Sequence, residues 1–214
     1  MTAAERRNAR TILDRLKRRY PIIGTALEYR SPWELLVSTV LSAQTTDDTV
    51  NRVTPVLFAR WSSPEDLASA SPEEVEQVVF STGFYRQKTR AILELSSDLV
   101  TRFAGVVPDN LASLVSLKGV GRKTASVVLA EAFAQPAIAV DTHVGRVARR
   151  LGLTAEVKPP KVELALKGLY PEKEWSGISM RFIQFGRDTC DAKRPRCSEC
   201  FLVDRCPYPD KTPG

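Results

Sequence analysis

Leu117-Lys118-Gly119-Val120-Gly121-Arg122-Lys123-Thr124 is the stretch on which the fold turns, because a helical pattern from Asn110 precedes it and another, Ala125 to Phe133, follows it. A Gly-Val-Gly turn between two helices leaves backbone N–H groups unpaired at the start of the second helix. Neither Gly119 nor Gly121 carries a Cβ to hold an anion away. The element before the glycines is helical and the Gly-x4-Gly-Lys-Ser/Thr spacing of a nucleotide loop is missing. The anion it suits is therefore a phosphate in a DNA backbone, gripped without regard to base sequence.

Outward from that turn, helix starts recur as a hydroxyl residue followed three positions later by an acid: Thr2 with Glu5, Ser31 with Glu34, Ser71 with Glu74. Pro32 and Pro72 at the first helical position strengthen two of them. Apolar residues then return at helical spacing, as in Trp33, Leu36, Val37, Val40 and Leu41, and in Ala91, Ile92, Leu95 and Leu99. Only Ala137 to Val140 reads as extended, too short for a sheet. The chain is expected to be all-α, with about ten helices, and Pro55 is expected to end or kink the one that begins near Asp47.

Chemistry-bearing residues follow the glycines. Lys123 stands in the first turn of the second helix beside Arg122, where the helix dipole and a neighbouring cation disfavour a charged amine, so its pKa is expected to fall. A lysine of that kind can attack an electrophilic sugar carbon and form a Schiff base, although a lysine so placed is, taken by itself, more often a solvated or phosphate-binding cation. Eighteen residues on, Asp141-Thr142-His143-Val144 opens a basic helix through Arg146, Arg149 and Arg150. Asp141 is a natural N-cap, and His143, the single histidine, reads as a structural or phosphate-contacting residue.

All four cysteines fall in the last quarter as Cys190-x6-Cys197-x2-Cys200-x5-Cys206. Confined to seventeen residues, they read as one ligand set and not as a disulfide framework. Thiolates hold zinc or an iron-sulfur cluster, and softness does not choose between them. One close pair flanked by two wider arms suits wrapping a cube better than paired zinc knuckles. The net charge of +6 over 214 residues, 43% of them hydrophobic, describes a chain with a real core and a polyanionic partner. Its basic, interrupted N-terminus and the lack of a twenty-residue apolar run exclude a signal core and a membrane span, so a cytoplasmic, nucleoid-associated protein with reduced thiols is expected.

Gly-Val-Gly-Arg-Lys-Thr-Ala at 119–125, Ala-Val-Asp-Thr-His-Val at 139–144 and the cysteine tail together resemble the endonuclease III family of DNA glycosylases and abasic-site lyases. Leu41 to Asp47 and Thr82-Gly83-Phe84-Tyr85 extend the resemblance into the N-terminal half. It implies a helix-hairpin-helix glycosylase fold with a six-helix domain at 25–135, and a second domain built from 1–24 and 136–214, with a cleft between them. It implies a structural [4Fe-4S] cluster on Cys190, Cys197, Cys200 and Cys206, and a monomer acting on double-stranded DNA with oxidised pyrimidines or abasic sites. Lys123 would attack C1′ of a flipped nucleotide, and Asp141 would help deprotonate the lysine and stabilise charge on the sugar. Arg122, His143 and the hairpin glycines would meet phosphates, as would Lys193, Arg194 and Arg196 on a loop made rigid by ligation at both ends.

Gln44 would fill the gap left by the flipped base, and Phe84 would be the wedge, where leucine is usual. Lys118 stands in place of the hairpin proline, adding a cation and relaxing the turn. Gly145 stands where a larger apolar residue is usual, weakening its helix locally. Two rivals differ in chemistry. The related adenine glycosylase lacks the lysine and carries a further C-terminal domain, whereas this chain has Lys123 and runs eight residues beyond Cys206. A non-catalytic DNA grip would have no use for both Lys123 and Asp141.

Overall fold

The computed structural model describes residues 2–212, and every regular element among them is helical. Eleven α-helices run in the order α1 (Ala3–Arg19), α2 (Pro32–Leu41), α3 (Asp47–Arg60), α4 (Pro64–Ala68), α5 (Pro72–Val79), α6 (Tyr85–Phe103), α7 (Leu111–Val115), α8 (Arg122–Ala132), α9 (Thr142–Arg150), α10 (Pro159–Leu169) and α11 (Trp175–Asp188). The segment Ala137 to Val140 forms no strand; it is buried connecting chain, with the Ala139 N–H donated to the Ser179 hydroxyl at 2.9 Å.

The chain divides into two compact units, Thr25–Ala134 and Met1–Gly24 with Gln135–Gly214. In the first, α2 is apolar on nearly every side, with Leu35, Leu36, Val37 and Leu41 fully buried. It packs on α3, α6 and α8, and α6 in turn packs on α4 and α5. A helix without a polar face belongs at the centre of a bundle, and burial of this kind, at roughly 25 cal/mol per Å² of apolar surface, is what holds the unit together. In the second unit, Ile12 and Leu16 of α1, Val144 and Val147 of α9, Val162 and Leu166 of α10, and Phe182 and Phe185 of α11 form one core, closed from the tail by Leu202.

The expected helix starts divide. Thr2 and Glu5 form a full reciprocal capping box. Ser31 accepts from the Glu34 N–H, but the Glu34 carboxylate accepts from the Arg30 N–H instead. Ser71 makes no capping bond, because its hydroxyl is taken by the carboxylate of Glu73 at 2.7 Å. Pro55 does not end its helix: α3 runs on to Arg60. The proline lies on the exposed face, where the carbonyl four residues earlier can turn to solvent in place of the lost N–H.

Candidate nucleic-acid site and cysteine pocket

In the unit Thr25–Ala134 the hairpin is α7, the Gly-Val-Gly turn and α8. Gly121 is the N-cap of α8 and offers no capping side chain, and a Cβ there would meet nothing within 4 Å. A methyl at that position would stand in open space, which leaves room for an anion to approach the N-terminus of this eleven-residue helix. Gly119 is a glycine for another reason: its φ of +74° is left-handed, and a Cβ would stand 3.2 Å from that of Ala91 on α6. Lys118 does not relax the turn. Its N–H, which a proline would lack, is donated to the Asp98 carboxylate at 3.0 Å, and Arg102 fixes the same corner through the Ser116 carbonyl at 3.0 Å. Arg122 and Lys123 follow in the first turn of α8 and are exposed.

Gln44 and Phe84 share an uncommon backbone. Both are non-glycine residues in the left-handed region, with φ of 55° and 48°. Holding such residues there costs about 1–2 kcal/mol each, which surrounding bonds must offset. Both are exposed, Phe84 by 60%. They line one cavity of about 230 Å³ together with Lys88, Ala91, Gly119 and Thr124. The structure thus brings Gly119, Gln44 and Phe84 to one place within the unit.

Asp141 lies in the other unit. It caps α9, with Oδ1 accepting from the Val144 N–H at 2.8 Å, while Oδ2 stands 3.3 Å from His143 Nδ1. Its two oxygens are thus divided between fold and histidine. Gly145 is buried within α9, and a Cβ there would press only on the far end of Arg149 at 3.2 Å.

The four cysteines line one pocket. Burial first, and then the neighbouring thiols, push Cys200 and Cys206 above the ordinary thiol range. Among the described residues no three donors are close enough to one point to hold a single ion. The basic loop is ordered from within: Asp191 Oδ1 accepts from the N–H groups of Lys193 and Arg194 at 2.8 and 3.0 Å, and those bonds hold its carboxyl below the usual range. Lys193, Arg194 and Arg196 are all exposed, around a buried Pro195.

Two residues of this region carry roles that sequence reading missed. Arg146 donates to the carbonyls of Cys190 and Gly186 at 3.1 and 2.9 Å. Arg150 donates to the carbonyls of Asp191 and Ala192 at 2.6 and 2.9 Å, stands 3.5 Å from Cys190 Sγ, and stacks on Tyr208 at 4.6 Å. What reads as one basic helix is split: these two cations pin the cysteine loop, and Arg149 is exposed. The i, i+4 spacing was the available signal, but it does not say what the arginines meet.

Residues 37–172 match the model of the HhH-GPD superfamily of base excision DNA repair proteins. Endonuclease III of Synechocystis is 44% identical over 96% of this chain and 94% of its own length. That of Bacillus subtilis is 44% identical over 91% and 89%, and that of Escherichia coli K12 is 38% identical over 94% and 95%. A solved endonuclease III trapped as a covalent intermediate on DNA superposes with a TM-score of 0.91 at 42% identity, covering 97% of each chain, and so does a non-covalent complex with DNA. A thermostable thymine-DNA glycosylase, 21% identical, shares the fold with a TM-score of 0.84 over 94% and 96%.

Proposed function

Because the chain belongs to the endonuclease III family of HhH-GPD base excision repair proteins, bifunctional glycosylases and abasic-site lyases, we propose that it removes oxidised pyrimidines and cleaves the resulting strand through Lys123. The Lys123 amine attacks C1′, the glycosidic C1′–N bond breaks, and the base leaves with the bonding pair. The sugar ring opens to a Schiff base, whose C2′ proton becomes acidic enough to be removed, and the C3′–O bond then breaks by β-elimination. Asp141 takes the role of the carboxylate that accepts the amine proton and stabilises positive charge on the sugar. The observation that carries this reading is Lys123 in the first exposed turn behind the open Gly121 N-terminus, where a phosphate gripped by the helix amides brings a nucleotide within reach of an amine.

Grip and recognition divide among the remaining residues. Gly119, Gly121, Arg122 and His143 serve phosphates, as do Lys193, Arg194 and Arg196 on the Asp191-braced loop. Gln44 and Phe84 enter the stack, which their exposure and shared left-handed backbone support. Thr25–Ala134 serves as the hairpin domain and the remainder as the cluster domain of a monomer acting in the nucleoid.

Cys190, Cys197, Cys200 and Cys206 are proposed to hold a [4Fe-4S] cluster. Four thiols line one pocket, and their spacing along the chain, one close pair flanked by two wider arms, suits the separate corners of a cube better than paired zinc knuckles. Arg150 beside Cys190 Sγ adds a cation where thiolate charge gathers. When bound, the cluster cross-links the tail and takes no part in bond breaking.

Lys123→Gln tests the reading. Binding to an abasic duplex should persist, falling steeply with salt as in the wild type, while borohydride trapping and strand cleavage disappear. Lyase activity surviving in the mutant would move the nucleophile to another amine, such as Lys118.

A further inference from the structure

Lys88 is the one buried lysine of the hairpin unit, 5% exposed, and it stands in the first turns of α6 where the positive end of the helix dipole opposes a second positive charge. Its ammonium donates to Thr45 Oγ1 at 2.8 Å and to the Thr82 carbonyl at 2.7 Å. Both partners are neutral oxygens. The Thr45 hydroxyl is also bonded to that carbonyl, so the three groups form a closed triangle. Burial lowers the Lys88 pKa below the ordinary lysine range, which marks the site as costly for the cation.

A buried charge without a counter-charge is poor material for stability, and a hydrophobic side chain would fill the space at no greater cost. What the ammonium does supply is connection. Thr45 follows Gln44, and Thr82 lies two residues before Phe84, the two positions whose left-handed backbones need holding. Lys88 is four residues beyond Phe84, and Ala91, three further on, touches the hairpin at Gly119. One face of α6 thus runs from the wedge, through the ammonium, to the phosphate-gripping turn.

Resting on the function proposed above, we propose that Lys88 is a positioning residue for nucleotide extrusion: a clasp that joins the Gln44 turn to the Phe84 turn, so that plug and wedge enter the duplex together and in register with the hairpin. It touches neither sugar nor base in this role. Its loss should therefore be felt where a base must be forced out of a stack, and not where the sugar is already accessible.

The test compares single-turnover borohydride trapping of Lys88→Met on two substrates, a thymine glycol in duplex DNA, where a base must be turned out, and an abasic site in single-stranded DNA, where the sugar is already accessible, each against the wild type. The duplex rate should fall on the order of tenfold to a hundredfold, the penalty for misplaced groups at a reacting site, while the single-strand rate stays within about twofold. A 2-aminopurine reporter beside the lesion should show slowed opening, and the thermal midpoint should hold or rise. Thr45→Val, which cuts only the Gln44 side of the clasp, should give the same duplex-selective loss in smaller measure. Equal losses on both substrates, or no loss on either, would overturn the clasp. A wild type inert on both substrates would overturn the lyase reading instead, and the clasp with it.

Discussion

Asp141 has two oxygens, and they face different partners. Oδ1 is committed to the Val144 N–H, so part of the carboxylate is a helix cap whatever else it does. Asparagine caps a helix as well as aspartate but carries no charge. Asp141→Asn should therefore melt within a degree or two of the wild type, roughly the effect of a neutral cap exchange, while single-turnover cleavage of a thymine-glycol duplex falls by about a hundredfold. Full turnover in a well-folded mutant would leave Asp141 as a cap alone. The cap was legible in the sequence, since a carboxylate before Thr-His-Val announces one, and the charge-dependent role is what the family motif implies. The 3.3 Å approach of His143 to Oδ2 was not, because neighbours two apart meet only in particular rotamers.

At the scale of elements, the two hairpin glycines make opposite demands, and substitution should separate them. Gly119→Ala forces a left-handed φ on a residue with a Cβ and drives that Cβ to 3.2 Å from Ala91, so a loss of about 2 kcal/mol in stability is expected by chemical denaturation. Gly121→Ala meets nothing within 4 Å and should leave stability almost unchanged, yet weaken duplex binding several-fold because the methyl stands where a phosphate approaches. The sequence placed this hairpin correctly but treated the glycines alike, since what sets Gly119 apart is its approach to Ala91 on α6, about 28 residues earlier, which no local pattern announces. The same limit hid Lys88. A lysine in Tyr-Arg-Gln-Lys-Thr-Arg reads as solvated surface, and only the packing of two turns around it shows otherwise. Of the two outcomes expected at Pro55, an end or a kink, the helix shows no end, since the proline lies on an exposed face.

For the whole molecule, the all-helical architecture was readable because caps, apolar spacing and the absence of alternation agreed. The distant bonds that hold the tail were not, for they join residues more than forty apart, as Arg15 does to Asp204 at 2.5 Å and Arg150 to Asp191. Cys200→Ser examines that level. It should remove the yellow-brown absorption expected of the wild type and raise hydrogen exchange across 186–212, with the hairpin unit little changed. Colourless wild-type protein with one zinc and no iron, purified without air, would reject the iron-sulfur assignment.

Arg146 and Arg150 fasten the cysteine loop to the same short helix that begins at Asp141. A nine-residue helix spans roughly 13 Å and has little room to flex along its length, so its two ends move as one body. Displacement of the Cys190 segment would thereby be handed to the carboxylate at the other end. A molecule with an injured tail would then lose its aim before it lost its hold, and would rest on a lesion without incising it. On the proposed function the linkage would act as an interlock, tying strand cleavage to the soundness of the cysteine loop.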